Sequence, residues 1–208
     1  MNIHDLYRPF LRHFRSRRMQ DFYRRFQITP ATRVLDVGGT GFNWSLCPFR
    51  PNLTLLNIRP PREKEEGIGQ WIIADARHLP FKDCAFEVVY SNSVIEHLGT
   101  WDNMRQMASE IRRVGIRYFV QTPNRRFPIE PHLLTPFVHW FPKWLQRRLL
   151  RNFTLWGLVT HPTPQDCENF LREVRLLDEE ELQRLFPDAE IRRERFLGLS
   201  KSLTALKL

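Results

Sequence analysis

The stretch "NSVIEHLG", residues 92–99, sets Ser93, Glu96 and His97 at spacings of three and four. If a helix starts at Ser93, the three side chains share one broad face. An imidazole titrates near neutral pH, so His97 suits removal of a proton from a hydroxyl, with Glu96 beside it. A structural role at a helix start is the competing reading. A second acid–imidazole pair, Glu130 and His132, lies in "FPIEPHLLTPF", where flanking prolines hold the backbone extended. That pair is read as a substrate contact, or else as a histidine packed into a loop. A third stretch, "VLDVGGTGFNW" (34–44), carries Asp36 at the end of an apolar run, followed by Gly38, Gly39 and Gly41. Glycines let the main chain bend and approach a ligand closely. Two phosphate patterns fail here. No lysine follows Gly41 as a P-loop requires, and Pro48 limits the helix that a dinucleotide fingerprint would open. What remains is a small ligand with positive charge near Asp36, or a carboxylate that merely caps its loop.

These residues need a scaffold that delivers them to one edge. Short apolar runs recur at 33–37, 53–58, 70–74, 86–91 and 116–122. They are continuous rather than strictly alternating, as suits strands buried on both faces of a parallel sheet. Residues 101–114, "WDNMRQMASEIRRV", read as a helix with an apolar stripe through Met104, Met107, Ala108 and Ile111. One or two amphipathic helices precede the first strand, with apolar positions from Tyr7 to Phe26, and Pro30 breaks that pattern. "DEEELQRLF" is an acid-started helix, and "AEIRRERFLGL" with "KSLTALKL" forms two closing strands that turn at Gly198. The expected fold is a doubly wound, Rossmann-like α/β domain whose mostly parallel sheet ends in an antiparallel C-terminal edge. One domain is expected, divided into an N-terminal helical segment (1–29), a ligand-binding core (30–122), a lid or substrate insertion (123–164) and closing helices and strands (165–208). The insertion is rich in proline, aromatic and basic residues and follows the fifth strand, the place for a lid or binding element. Within it "KWLQRRLLRN" reads as a short helix.

Composition narrows the class further. The 208 residues suffice for a core, and the 42% apolar fraction is that of a globular chain. No run approaches the length of a membrane-spanning helix, and no signal-peptide pattern opens the chain. Cys47, Cys84 and Cys167 are scattered, without metal-ligand spacing, so a reducing, cytoplasmic setting is expected. The net charge of +9 is concentrated in seven arginines between Arg8 and Arg25 and in Lys143, Arg147, Arg148 and Arg151. Such surfaces attract polyanions, or are simply solvated.

In their order, "VLDVGGTG", "LLNI", "IIADARHLPF", "FEVVYSNSVIEHL" and "YFVQTPN" resemble the class I S-adenosylmethionine-dependent methyltransferases, and the type-11 subfamily in particular. The resemblance covers about residues 33–124 and the closing strands. It implies S-adenosylmethionine as cofactor. Asp36 would answer its ammonium, with Gly38, Gly39 and Gly41 around the methionine end. Asp75, followed by Ala76, would accept from the adenine amino group, and Asn92 and Ser93 would lie near the reacting methyl. The acid that usually ends the second strand is Asn57 here, which bonds a ribose hydroxyl without charge assistance. The glycine loop is also a residue shorter than usual. "SVIEHL" further resembles an E-x-x-E-H segment of ubiquinone-type and small-RNA O-methyltransferases that binds a divalent metal. By that likeness Glu96, His97 and His132 would be ligands, with Ser93 in place of the first glutamate. A metal-free site with His97 as base is the primary reading.

The expected reaction is in-line O-methylation of a small-molecule, glycan or lipid-linked acceptor, since no N-methylating N/D-P-P-Y motif is present. The mix of aromatic and basic residues in the insertion is what an interfacial helix uses, so peripheral contact with an anionic inner-membrane surface is the associated expectation. RNA methylation is the alternative, through the arginine-rich first helix. A non-catalytic interaction protein with the same fold is a third.

Overall fold

The structure is a computed structural model and describes residues 8–61 and 67–208, with the side chains of residues 8–11 left out. Tyr7, Phe10 and Leu11, part of the expected N-terminal apolar stripe, therefore lie outside the described residues or side chains. A seven-stranded sheet has the order β3-β2-β1-β4-β5-β9-β8. Its strands are β1 (Arg33–Val37), β2 (Asn52–Asn57), β3 (Gln70–Ile73), β4 (Phe86–Asn92), β5 (Gly115–Pro123), β8 (Glu190–Phe196) and β9 (Leu199–Lys207). The first five are mutually parallel, and β9 pairs antiparallel with both β5 and β8. The β8–β9 turn uses Leu197 and Gly198, both with positive φ, as a tight hairpin demands. The strand boundaries expected from sequence shift by one residue at most ends, and the antiparallel edge is present.

Alternate strand residues face opposite layers. Val34, Leu55, Val88, Tyr90 and Phe119 point to one face, where α1 (Arg8–Phe26) lays down Met19, Phe22 and Phe26 at helical spacing. Leu35, Leu56, Val89, Tyr118 and Val120 point to the other, against Met104, Met107, Ala108 and Ile111 of α3 (Trp101–Val114). Both sets are nearly inaccessible to solvent. Burial of this kind contributes about 1.5–3 kcal/mol per large side chain, offset by the entropy of ordering the chain. Helix α1 is a single element, ended by Gln27 in the left-handed region and a bond from Ile28 N–H to the Tyr23 carbonyl. A four-residue helix, α2 (Gly41–Trp44), follows the glycine loop.

The insertion contains more regular structure than its composition suggests. A small hairpin, β6 (Ile129–Glu130) with β7 (Thr135–Pro136), leads through a 3₁₀ turn (Val138–Trp140) to α4 (Lys143–Phe153) and α5 (Leu155–Thr160). Then α6 (Pro164–Glu173) starts on a Thr163–Asp166 capping box, and α7 (Glu179–Leu185) on an Asp178–Glu181 one. Helix α5 was not expected from the proline-rich pattern, whereas α6 and α7 fall in the closing segment, where helices are expected. A small core of Leu133, Val138, Leu150, Cys167 and Leu171 joins the hairpin, the 3₁₀ turn, α4 and α6.

Candidate active site

In this strand order the chain changes direction between β1 and β4, and the carboxyl ends of those strands open into a crevice. The glycine loop lies there. Gly38 takes φ +75°, and its N–H donates to the Leu56 carbonyl across to β2. A Cβ on Gly39 would stand 2.1 Å from the Asp36 carboxylate, so the loop closes directly over that acid. Asp36 is 1% exposed, accepts from Trp44 Nε1 at 2.7 Å through Oδ2, and has no partner for Oδ1. Burial, only partly offset by Trp44, pushes its pKa up to about 7. Asp36 therefore sits one layer beneath the loop surface, where the sequence suggested direct contact with a cation. Trp44 is a partner that sequence reasoning missed; a donor eight residues on, across a short helix, carries no spacing signal.

Asn57 explains itself in the same loop. Its amide donates to the carbonyls of Gly38 and Gly39 at 3.3 and 3.1 Å, which a carboxylate has no proton to do. Its oxygen accepts from Arg59 N–H at 3.4 Å. Asp75, just past β3, is paired with Arg77 at 2.6 Å, and that hydrogen-bonded guanidinium holds its pKa below the usual carboxylate range. Arg77 also reaches Asn103 on α3. Ala76 faces inward and packs with the core on that side of the sheet. Asn92 accepts from Arg18 of α1, which also reaches Gln121 at 3.0 Å and Glu194 at 2.6 Å. The first helix is thus pinned across the ends of β4, β5 and β8.

Beyond β4 the backbone departs from the expected helix. Ser93 has φ +56° and the 3₁₀ turn begins only at Ile95 (Ile95–Leu98). Ser93 consequently does not share a face with Glu96 and His97; its hydroxyl donates to Gln121 Oε1 at 3.0 Å. Glu96 turns inward and is fully buried, accepting from Thr122 Oγ1 at 3.0 Å through Oε2, while Oε1 has no partner. Burial raises its pKa to about 7. His97 turns outward into the crevice.

The β6–β7 hairpin brings the second pair to the first. His132 Nδ1 and Glu130 Oε1 are 2.6 Å apart, and Glu130 Oε2 accepts from Leu133 N–H at 2.6 Å. The His97 and His132 rings meet edge to face with centroids 4.8 Å apart. One ligand-type atom from each of Glu96, His97 and His132 falls within 4.8 Å of the others. Burial works against protonation of His132, but the charge and hydrogen bond of Glu130 outweigh it, so its pKa is raised. Desolvation and then the charge of His132 lower that of His97, which is neutral at ordinary pH. Both imidazoles line a cleft of about 520 Å³ that runs from Arg59, after β2, to Phe170 and Glu173 on α6. On the other side of the 92–97 segment a cavity of about 290 Å³ is walled by Phe127, Ile129 and Leu134 of the insertion, with Ser93 and Gln121 among its polar lining.

The architecture and this crevice define a class, the Rossmann-like methyltransferase fold. Residues 33–117 match the sequence model of the type-11 family, described as a methyltransferase domain. Among solved structures the chain is similar to magnesium protoporphyrin IX methyltransferase from Synechocystis PCC 6803 with bound S-adenosylhomocysteine. The TM-score is 0.57 at 11% identity, over 95% of this chain and 83% of that one. It is similar to the Burkholderia thailandensis 1,6-didemethyltoxoflavin-N1-methyltransferase, with TM-score 0.57 and 13% identity over 93% and 78% of the two chains. It is also similar to the [4+2]-cyclase SpnF, with TM-score 0.53 and 17% identity over 85% and 57%. At such identities the likeness is one of fold, and the cyclase shows that the fold alone does not set the reaction. No curated protein matches the sequence. The family match spans less than half of the chain, and over its whole length the chain shares the fold of S-adenosylmethionine-dependent methyltransferases.

The site suits that cofactor on its own evidence. The loop at Gly38 and Gly39 offers bare main chain at the crevice, and the carboxylate beneath it keeps one unpartnered oxygen. Asp75 stays ionised and partly open at the end of β3.

Proposed function

We propose that the chain methylates an oxygen of a small-molecule, glycan or lipid-linked acceptor, with Glu96, His97 and His132 as the group that readies the hydroxyl. The observation that carries this reading is the convergence of those three side chains at the carboxyl end of β4. When bound, S-adenosylmethionine supplies a methyl already activated by sulfonium. The protein's work is then to hold an acceptor oxygen in line and to take its proton. His97, neutral and open to the crevice, accepts that proton at an imidazole nitrogen. Glu130 holds His132 by its Nδ1 and so fixes its ring against His97. Thr122 holds one oxygen of Glu96 and leaves the other toward the cluster. The loop of Gly38 to Gly41, with Asp36 beneath it and Asn57 behind it, would cradle the methionine end. Asp75 would take the adenine amino group, and Asn92 and Ser93 would border the methyl. The apolar cavity beyond Ser93 suits the body of an acceptor.

A second reading of the same cluster has its own observation. A buried carboxylate oxygen without a partner is costly, and an imidazole held through Nδ1 by a carboxylate presents Nε2 outward, as metal-bound histidines do. Glu96, His97 and His132 would then hold a divalent ion, which would polarise the acceptor hydroxyl. RNA is the weaker alternative. Of the arginines on α1, Arg18 is spent on Asn92, Gln121 and Glu194, Arg24 and Arg25 on Asp21, and Arg15 reaches Asn43. A non-catalytic role fits poorly with an unsatisfied buried acid.

The test is transfer from methyl-labelled cofactor into fractionated cell extract, with and without chelator. Label in an ether or ester oxygen supports the proposal. Loss on chelation and recovery with Mg²⁺, Mn²⁺ or Zn²⁺ would select the metal reading, and label on nitrogen or in RNA would overturn the acceptor assignment.

A further inference from the structure

The insertion has a surface that the methyl-transfer reading does not use. From Pro131 to Gln165 the chain contains no aspartate or glutamate, yet it carries Lys143, Arg147, Arg148 and Arg151. On α4, Trp144, Arg147, Arg148 and Arg151 fall at helical spacings of three and four and are all exposed, while Gln146 and Leu150 face inward. The Arg148 guanidinium lies 5.6 Å from the Trp144 ring centroid. Just before the helix, Phe137 and Trp140 pack together and stay about half exposed, and Phe141 is 40% exposed. Trp140 and Trp144 are the two tryptophans strongly exposed among the described residues. Glu168 of α6 pairs with Arg147 at the edge of this face, and Lys143 donates to the Leu171 carbonyl. Arg148 and Arg151 have no ion-pair partner among the described residues.

We propose that the 3₁₀ turn and α4 form a docking face for the surface of an anionic bilayer. Exposed large aromatics cost free energy in water, and Trp and Phe settle at the headgroup boundary. Basic side chains on the same face then meet acidic lipid, and each adds attraction that falls with salt. The charge of the segment selects the occupant: a stretch without acids complements an anionic surface and repels a second copy of itself. No helix among the described residues is long and apolar enough to cross a membrane, so the contact is peripheral. The same insertion walls the cavity next to Ser93, which would place that cavity close to the lipid. Docking does not depend on the acceptor or on catalysis, so the two proposals fail separately.

The test is co-sedimentation of the full chain with phosphatidylcholine vesicles and with vesicles that also contain phosphatidylglycerol. Binding is expected to the anionic vesicles only and to weaken as salt rises. Trp144→Ala, and Arg148→Glu with Arg151→Glu, are each expected to weaken it about ten-fold or more, with melting temperature and S-adenosylhomocysteine affinity unchanged. Equal binding to both vesicle types, no binding, or full binding by the charge-reversed variant would overturn the proposal. So would a concentration-dependent dimer dissolved by Trp144→Ala, or salt-sensitive capture of RNA without capture of vesicles.

Discussion

Three acids in the crevice are handled in three ways, and each makes a measurable difference. Asp75 is held ionised by Arg77, Glu96 is buried beside two imidazoles, and Asp36 is sealed beneath glycine and tryptophan. For Asp36 the folded pKa of about 7 lies above the ordinary 3.8. Between those values the native state keeps a proton that the unfolded chain has released, so this group's contribution to stability falls as pH rises and is gone above the folded value. Asp36→Asn keeps an acceptor for Trp44 without the charge. The variant should therefore gain stability relative to wild type as pH goes from about 4 to about 8, read by denaturant unfolding at each pH. A constant difference would place the titration elsewhere. Gly39→Ala puts a methyl into the Asp36 carboxylate. It should cost about 1–3 kcal/mol of stability and weaken S-adenosylhomocysteine binding at least about ten-fold by calorimetry. Unchanged affinity would show that the loop is not the cofactor's cradle.

At the scale of elements, α1 and the β6–β7 hairpin complete the site from opposite sides. Arg18 is mostly buried and bonds three side chains on three strands. Arg18→Ala leaves Glu194 to Lys201 and Ser202 and Asn92 to the more distant Tyr90 hydroxyl, for a loss of about 2–4 kcal/mol in chemical denaturation. A loss confined to a few tenths would mean that α1 is held by its aromatic face alone. Glu130→Gln keeps the size of the side chain but weakens the hold on His132. Methyl transfer should fall about ten- to hundred-fold while cofactor affinity is kept. The parts legible in the sequence were those whose signal is local. The five apolar runs announced β1 to β5, the stripe through Met104 to Ile111 announced α3, and Gly198 marked the closing turn. Helix α5 was obscured because prolines cluster just beyond it at 162 and 164, where the second serves as the first residue of the capped α6. Ser93 read as helical because spacing cannot show a positive φ; Trp44 as a partner of Asp36 carries no spacing signal, and Thr122 as a partner of Glu96 required knowing that β4 and β5 are neighbours.

For the whole molecule, a sheet with its switch point between β1 and β4 gathers residues from widely separated parts of the chain at one rim. His97 and His132 are 35 positions apart, and their meeting depends on the insertion folding back over β4; only a family resemblance hinted at it in the sequence. Because the cofactor would bind the native state at that rim, saturation to about 100 times the dissociation constant should raise stability by about 2.7 kcal/mol, seen as a thermal shift. The most direct trial of the account compares wild type with His97→Ala, each given methyl-labelled S-adenosylmethionine and the extract fraction that accepts label. The expected result is equal cofactor binding by the two proteins, label on an acceptor oxygen with wild type, and transfer reduced at least about a hundred-fold in the variant. Transfer at the wild-type rate by His97→Ala, or label carried on nitrogen, would contradict it.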